Sequence, residues 1–364
     1  GFSFCASRSS APYTPSAPAL AHNPEHRSVK EGSVASNTEL YPPARPSRGR
    51  AQPTPGMDYN RSMTQTNTSP AAPGDLSRRF LFEDADIRGE TVHVDKALRD
   101  ILDTHQYAPG VQVLMGEFLA ASVLLSTTLK FEGTLVLQAR SSGQIPLLMA
   151  ECNDQLHLRA IARGAQEATS EDFEQLLTDG RLAITIDPAK GQRYQGIVPL
   201  VGNSLAHSLD AYFEQSEQLH TRFWLASNGS QAAGMLLQQL PAQLETDADL
   251  RERQWEHVCT LAATVQPDEL LDMAAERMLY RLFHDTPVRI FGARPLEARC
   301  TCSRERTLNA LRAIGAAEVE DILREQGGVT MDCEFCNQRY VFKRDDLGDL
   351  LGAAAATDDP PTLH

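Results

Sequence analysis

The chain carries little positive charge for its size. Its 364 residues contain 34 lysines and arginines against 48 aspartates and glutamates, a formal net charge of −14 at pH 7. A general nucleic-acid-binding protein needs a basic surface that engages phosphates. We therefore expect no nucleic-acid partner.

Long apolar runs are also missing. The longest, residues 118–129 (FLAASVLLSTTL), is too short to span a bilayer and contains four hydroxyl side chains. We expect it to form a buried helix, and we expect no membrane partner. Residues 1–10 also lack the basic stretch and apolar core of a secretory signal.

Motifs of enzymes and nucleotide-binding proteins are absent. The sequence has no Walker motif, no G-x-S-x-G elbow and no H-E-x-x-H helix. Residues 191–196 (GQRYQG) lack the Lys-Ser/Thr pair that holds nucleotide phosphates and Mg²⁺. Nothing in the sequence indicates an enzyme, and we expect no bound nucleotide.

Cysteine is scarce outside one cluster. The chain has seven cysteines, and three of them, Cys5, Cys152 and Cys259, are isolated. An odd count with isolated members does not fit a secreted disulfide framework and favours a reducing cytoplasm. We expect Cys152 and Cys259 to be small buried hydrophobic residues.

The other four cysteines form two close pairs, Cys300-Thr301-Cys302 and Cys333-Glu334-Phe335-Cys336. Two pairs joined by a foldable stretch are the spacing of a tetrahedral four-thiolate zinc site. We predict that Cys300, Cys302, Cys333 and Cys336 bind one Zn²⁺. Nearby cations favour the thiolate form, and six lie close in sequence: Arg299, Arg304, Arg306, Arg339, Lys343 and Arg344.

The cysteine group has three interpretations. Spacing alone favours a static zinc ribbon, because most all-thiolate zinc sites are structural. A Cys-x-Cys pair can also close on itself as a strained disulfide. The two sulfurs would then no longer bind the metal, and the metal would be released. A redox switch is therefore an alternative. A thiol oxidoreductase using Cys333 and Cys336 would need a thioredoxin-like scaffold, which the pattern does not predict.

The two ends of the chain differ from its middle. Residues 1–74 contain eleven of the 21 prolines and show no apolar periodicity. Such a segment buries too little apolar surface to offset its ordering entropy. We expect residues 1–74 to be a disordered leader or an upstream-translated segment, and residues 352–364 to be a disordered tail.

Residues 75–242 predict an α+β domain in which a mainly antiparallel sheet packs with helices. The first strands, 80–82 and 91–94, are expected to flank a turn at Arg88-Gly89, and Asp95 to cap a helix that ends near His105. Further helices are predicted at 111–129 and 204–216. The remaining strands are predicted at 134–139, 147–151, 157–162, 182–187, 195–200, 221–226 and 233–239.

Residues 243–295 are highly charged and helical in pattern. In residues 268–283 a broad apolar stripe is formed by Leu270, Leu271, Met273, Met278, Leu279, Leu282 and Phe283. One interpretation is a helical subdomain packed on its neighbours. The other is a metastable linker that can detach from its neighbours and expose a Met- and Leu-rich surface. In that case these seven residues bind other proteins.

Residues 296–351 surround the cysteines and are predicted to form a small zinc-binding domain. Ser303 is expected to cap a helix 304–313, Gly315 to interrupt it, and Gly327-Gly328 to end its continuation. A short strand leads into Cys333, and residues 339–342 return as its partner. The domain has too few core residues to be stable without its metal.

Several separated motifs resemble the heat-shock protein 33 family of redox-regulated chaperonins. The strongest are CTCSRER (300–306) and CEFCNQRYVF (333–342). Others occur in the family's order: RFLF (79–82), IRGE (87–90), TLKFEG (128–133), GQRYQG (191–196), SEQLHTR (216–222) and AAGMLLQ (232–238). The likeness runs from about Ser77 to the end of the zinc-binding domain.

The resemblance implies an ATP-independent holdase of the bacterial cytoplasm. It implies that the reduced form holds zinc through the four cysteines and is inactive. Oxidative stress then forms Cys300–Cys302 and Cys333–Cys336 disulfides and releases the zinc. On this basis residues 243–295 are the linker that unfolds, residues 75–242 are the chaperone and dimerisation domain, and the oxidised homodimer holds unfolding client proteins.

Overall fold

The computed structural model describes Phe2–Ser3 and residues 74–129, 131–216 and 219–355. Its described residues form two compact units, a larger one that ends at Thr301 and a smaller one that begins at Cys302 and includes Phe2–Ser3. The predicted leader, with Cys5, otherwise lies outside the described residues, as does the predicted tail beyond Ala355.

The described residues contain ten α-helices and one short 3-10 helix, Arg344–Leu347. The α-helices are α1 Lys96–Leu102, α2 Pro109–Thr128, α3 Phe173–Leu176, α4 Leu205–Ser216, α5 Ala248–Ala262, α6 Pro267–Asp272, α7 Ala275–Phe283, α8 Arg304–Ile314, α9 Ala316–Gln326 and α10 Gly348–Ala355.

Fifteen strands accompany these helices in the same part of the chain. They are β1 Phe2–Ser3, β2 Leu76–Phe82, β3 Ile87–Val94, β4 Gly133–Arg140, β5 Leu147–Asn153, β6 His157–Arg163, β7 Arg181–Pro188, β8 Tyr194–Pro199, β9 Thr221–Ser227, β10 Ala232–Gln239, β11 Val288–Ile290, β12 Arg294–Pro295, β13 Glu297–Ala298, β14 Val329–Cys333 and β15 Arg339–Phe342.

The larger unit contains two six-stranded sheets. Sheet I has the order β11-β2-β3-β10-β9, with β12 also paired to β2, and sheet II has the order β13-β6-β5-β4-β7-β8. Every pairing in sheet I is antiparallel, and in sheet II the short β13–β6 pair is parallel while the others are antiparallel. The predicted α+β class with mainly antiparallel strands is confirmed.

Helix α2 lies between the two sheets and contacts strands of both. It is long and apolar enough to cross a membrane by composition, yet 83% of its apolar window is buried inside the protein. Its last carbonyls are satisfied by guanidinium groups of sheet I: Arg79 Nη2 donates to Thr127 O at 2.6 Å and Arg88 Nη2 donates to Thr128 O at 3.1 Å. The predicted buried helix is confirmed, and its C-terminal end is fixed by these two bonds.

Strand β10 shows how sheet I serves two cores. Ala232 and Leu236 pack with α2 in the core between the sheets, whereas Ala233, Met235 and Leu237 pack with α5, α6 and α7 on the opposite face. This alternation follows from the two-residue period of a strand. Because both faces are covered, β10 is buried along nearly its whole length.

The predicted turn at Arg88-Gly89 is wrong. Both residues lie inside β3, where Gly89 pairs with Phe80 of β2. A Cβ atom at Gly89 would lie 2.0 Å from the Phe80 ring, so glycine is required here to admit a neighbouring aromatic side chain. The connection between β2 and β3 is formed instead by residues 83–86.

Two helix predictions need correction. The side chain of Asp95 makes no capping bond to α1. Instead, the carboxylate of Asp75 accepts from the backbone N–H groups of Asp95 and Ala97 at 2.7 and 3.1 Å. The predicted helical stretch 268–283 is two helices, because Met273 and Ala274 adopt extended ψ values of 132° and 139°.

The smaller unit follows its predicted pattern. Ser303 Oγ accepts from Arg306 N at 3.1 Å and begins α8. Gly315, with φ of 103°, separates α8 from α9, and Gly327 ends α9 in the left-handed conformation with φ of 72°. The hairpin β14–β15 packs on these helices, and Phe2–Ser3 pairs with β14. The core is small: Leu311, Val319, Ile322, Leu323, Val329, Met331, Phe342 and Leu347.

Candidate metal centre

The structure brings the four predicted cysteines together. The sulfur atoms of Cys300, Cys302, Cys333 and Cys336 all lie within 4.8 Å of one another, and those of Cys302 and Cys336 are 3.5 Å apart. Tetrahedral Zn–S bonds of about 2.3 Å would separate the sulfurs by about 3.8 Å. The donor set and its spacing therefore fit a four-thiolate metal site.

The second pair is shaped by the turn that follows β14. Asn337 N donates to Cys333 O at 2.7 Å, and Cys333 N donates to Gln338 O at 3.0 Å. Asn337 adopts a left-handed φ of 55°, a conformation that asparagine tolerates better than most residues. This tight turn directs both sulfurs toward the same point.

The first pair follows β13 and precedes α8. Arg299 N donates to Leu158 O at 2.9 Å, which continues the pairing with β6 up to the residue before Cys300. Cys302 directly precedes the N-cap residue Ser303, so it lies at the N-terminal end of α8.

Two contacts to the sulfurs were missed at the sequence level. Tyr340 Oη donates to Cys302 Sγ at 3.2 Å, and Arg159 Nη1 lies 3.9 Å from Cys300 Sγ. The hydrogen bond to Cys302 is the main reason why the pKa of Tyr340 is raised. Tyr340 lies in the strand that follows the second pair, whereas Arg159 lies on β6 and has no sequence signal that links it to a cysteine.

Arg159 is held in place by a carboxylate. Its Nη2 and Nε atoms lie 2.6 and 2.7 Å from Glu151 Oε2, and both side chains are mostly buried. Glu151 is opposite Arg159 in the pairing of β5 with β6. Because two nitrogens of the guanidinium bond to one carboxylate oxygen of the neighbouring strand, sheet II determines where this guanidinium meets Cys300.

Three of the cations predicted around the cysteines pair with carboxylates of the smaller unit. Arg304 bonds to Asp346 at 2.9 Å and stacks 4.3 Å from the Phe342 ring centroid. Arg339 forms a two-point ion pair with Asp332 at 2.8 and 2.9 Å, and Arg344 pairs with Glu320 at 2.8 Å. These three side chains brace the smaller unit.

Cys152 and Cys259, the cysteines outside the group in the described part of the chain, are poorly suited to thiolate chemistry. Cys152 is fully buried and packs in the core between the sheets, as predicted. Cys259 is partly buried and packs against the core on the other face of sheet I. Burial raises the pKa of both thiols to about 12, so both stay protonated near neutral pH.

The seven predicted client-binding side chains lie in one place. Six of them are buried on the α5–α7 face of sheet I, and Met273 is partly buried beside them; the six are Leu270, Leu271, Met278, Leu279, Leu282 and Phe283. Phe283 packs edge-on against Phe82 with ring centroids 5.0 Å apart. The stripe is therefore covered in this conformation.

Polar contacts hold α7, α5 and the residues just before α5 on the β2–β3 hairpin. The buried carboxylate of Asp86 accepts from the N–H groups of Gln243 and Leu244, at 2.9 and 3.0 Å, and from Arg251 at 2.8 Å. Arg78 pairs with Glu276 at 2.6 Å. The sequence pattern did not indicate these contacts, because every pair spans more than a hundred residues.

Comparison with known proteins relates the chain to one family. The profile described as "Hsp33 protein" matches residues 75–343. The chain is 49% identical over 293 residues to a 33 kDa chaperonin of Pseudomonas aeruginosa strain UCBPP-PA14, covering 80% of this chain and 99% of the relative. It is also 49% identical over 293 residues to a 33 kDa chaperonin of Azotobacter vinelandii, with the same coverage of 80% and 99%.

A solved structure shares the fold. The crystal structure of the 33 kDa chaperonin, a heat shock protein 33 homolog, from Thermotoga maritima matches with a TM-score of 0.67. The match covers 78% of this chain and 99% of the Thermotoga chain at 22% sequence identity.

Proposed function

The chain belongs to the Hsp33 family, and we propose that it is an ATP-independent chaperone whose activity is switched on by oxidation of its four-cysteine group. Family membership and the names of its relatives support a chaperone, and chaperonin is not an enzyme class. The observation that carries the proposal is the convergence of a Cys-x-Cys and a Cys-x-x-Cys pair, all sulfurs within 4.8 Å.

We propose Zn²⁺ as the resident metal of the reduced form. The four cysteines would hold it as thiolates, and a soft all-sulfur donor set suits zinc. The bound metal supplies folding free energy, on the order of 10–16 kcal/mol in zinc-finger peptides. The smaller unit has the core of only eight buried side chains described above, so this contribution would decide its stability.

Oxidation converts each pair of thiols into a disulfide. With hydrogen peroxide as the oxidant, two thiolates lose two electrons and one S–S bond forms, while the peroxide takes up these two electrons and two protons from the solvent and is reduced to two water molecules. In our proposal the disulfides are Cys300–Cys302 and Cys333–Cys336. Each removes two ligands, so the metal leaves and the smaller unit loses its main source of stability.

Loss of the metal then frees residues 243–295. The apolar stripe of α6 and α7, buried against sheet I in this conformation, would become available to unfolding client proteins. Exposed Met and Leu side chains bind irregular partners well, because methionine adapts its shape. We also propose that the oxidised chain forms a homodimer, through residues 75–242, and acts in the cytoplasm without nucleotide.

An aggregation assay tests the proposed function. Oxidation of the full chain with peroxide at raised temperature should let it suppress the light scattering of a thermally unfolding client, whereas the reduced, metal-loaded chain should not. Cys259→Ser is the matched control, because Cys259 lies outside the group and its pKa is raised to about 12 by burial. This variant should behave as the wild type.

Two outcomes would overturn the proposal. Equal suppression by the reduced and oxidised forms would mean that the cysteine group is a static zinc ribbon and not a switch. Catalytic turnover in an insulin-reduction assay would instead indicate a thiol oxidoreductase.

A further inference from the structure

A buried histidine lies at the contact between sheet I and helix α6. His93 lies on β3, where it pairs with Ala233 of β10 and Leu76 of β2. Only 6% of its surface is exposed to solvent. Its neighbours Val92 and Val94 pack toward α2. The two-residue period of a strand therefore places the His93 ring on the opposite face, toward α6 and α7.

The ring is bonded to the end of α6. His93 Nε2 lies 3.0 Å from the carbonyl oxygen of Leu270. A carbonyl oxygen only accepts, so Nε2 carries the hydrogen and the neutral ring is the tautomer protonated there. Leu270 is in the last turn of α6, whose carbonyl groups have no partner within the helix. His93 thus caps α6 from the sheet.

We propose that His93 is a proton-sensitive latch that holds residues 266–283 on sheet I, so that protonation of its ring favours release of this segment. The inference rests on the proposed function for its biological meaning, because the released segment carries the stripe that we propose binds clients. It adds a second input, acidification, to an oxidative switch.

Burial of the ring determines the sign of the effect, and the groups around it modify its size. Burial lowers the pKa of His93, and backbone hydrogen bonds to Leu270 and Met273 and the charge of Glu276 raise it by less. Arg78, on β2, lowers it further and is ion-paired with Glu276 of α7. On α6, Glu269 is paired with Arg281 of α7.

The pKa of the His93 ring is lower while residues 266–283 are docked on sheet I than after they are released. The ring therefore binds protons more readily in the released state. Docking is therefore fully favoured above the ordinary histidine pKa of about 6.5 and weakens as the pH falls below it. Two carboxylates on other helices act in the opposite direction: burial raises the pKa of Glu117 and of Asp210 to about 7. Their protonation favours the folded state at low pH, so the His93 effect must be isolated by a variant.

The test is hydrogen–deuterium exchange of the reduced, metal-loaded full chain at pH 8.0 and pH 6.0. His93→Gln keeps a donor for the Leu270 carbonyl but cannot be protonated. At matched pH the intrinsic exchange rates of the two proteins are nearly equal. The ratio of wild-type to variant exchange in residues 266–283 should rise by up to about fourfold from pH 8.0 to pH 6.0.

Controls distinguish the latch from general acid sensitivity. The peptide 133–140, strand β4 of sheet II, should show no such rise. His284→Gln alters a histidine with a 57% exposed side chain at the end of α7, and His105→Gln removes another ring whose pKa is lowered by burial. Both should retain the wild-type response. Metal content measured at each pH shows that the cysteine group stays loaded.

An unchanged ratio at the two pH values would overturn the latch and leave His93 a packing residue. If residues 266–283 of the His93→Gln variant are not docked at pH 8.0, the wild-type protein alone provides the test. In the wild type, the exchange of residues 266–283 relative to that of residues 133–140 must then be greater at pH 6.0 than at pH 8.0. The same relative exchange at both pH values would contradict the proposal. Because no oxidant is used, a negative result leaves the redox function standing, and a failure of redox activation leaves this measurement interpretable.

Discussion

At the residue scale, the cysteine sulfurs are surrounded by two side chains that stabilise negative charge. Tyr340 donates to Cys302 at 3.2 Å, and the guanidinium of Arg159 lies 3.9 Å from Cys300. Groups that bond to metal ligands orient them and raise metal affinity, and their loss typically costs 10–100-fold. Each cysteine of the first pair is thus contacted by a side chain from a strand: Cys300 by Arg159 of β6, and Cys302 by Tyr340 of β15.

Replacing Tyr340 by Phe tests this role. The variant keeps the ring but removes the hydroxyl group that donates to Cys302, so we expect the zinc affinity of the reduced protein to fall by about tenfold. Competition against a chromogenic chelator measures the affinity. Tyr280→Phe, at a 53% exposed position on α7, is the control and should bind zinc as the wild type does. Equal affinities for all three proteins would contradict the role of Tyr340.

Local spacing was enough to predict that the four cysteines lie together but not which side chains surround them. Cys-x-Cys and Cys-x-x-Cys constrain sulfurs within a few residues, and Ser303 and Gly315 act on the adjacent backbone. Arg159 is 141 residues from Cys300 and reaches it only because β13 pairs with β6. Asp86 and His93 were likewise missed, since a single polar residue in a strand has no distinctive pattern.

At the element scale, the β2–β3 hairpin connects the two cores of the larger unit. One face of sheet I packs on α2, and the other carries α5, α6 and α7. Phe80 and Phe82 of β2 pack against Phe283 of α7 on that second face. The hairpin therefore holds the helices that we propose are released.

Gly89→Ala should disrupt this hairpin. The added Cβ would lie 2.0 Å from the Phe80 ring, whereas a Cβ at Gly292 would have nothing within 4 Å. We expect Gly89→Ala to lower the free energy of unfolding by about 2–3 kcal/mol, because overpacking forces neighbouring side chains from their rotamers. Gly292→Ala should change it by less than about 0.5 kcal/mol. Urea unfolding followed by tryptophan fluorescence measures both, and equal midpoints would contradict the packing.

The elements themselves were largely predictable from periodicity, and the errors have physical causes. Arg88-Gly89 resembles a turn signal, yet the glycine is there to admit an aromatic ring from the next strand. Residues 268–283 keep a helical apolar pattern across Met273 and Ala274, so the break between α6 and α7 is not visible. Both errors arise because tertiary packing overrides local preference.

At the scale of the whole molecule, burial is distributed over three cores, and the predicted client-binding stripe belongs to one of them. The sequence predicted the α+β class and the cluster of four cysteines near the C-terminal end. It did not predict the two-sheet arrangement around α2 or the parallel β13–β6 pair, because these depend on contacts between distant segments. The extent of residues 243–295 as a releasable linker stays a prediction.

The most direct test of the central claim is a count of zinc and free thiols on the full chain before and after peroxide treatment at raised temperature. The account predicts one zinc and seven reduced cysteines per chain before treatment, seven being the number in the sequence. After treatment it predicts no bound zinc and three remaining thiols, Cys5, Cys152 and Cys259, with disulfides at Cys300–Cys302 and Cys333–Cys336. Zinc that stays bound after the chain has been exposed to oxidant would contradict the switch.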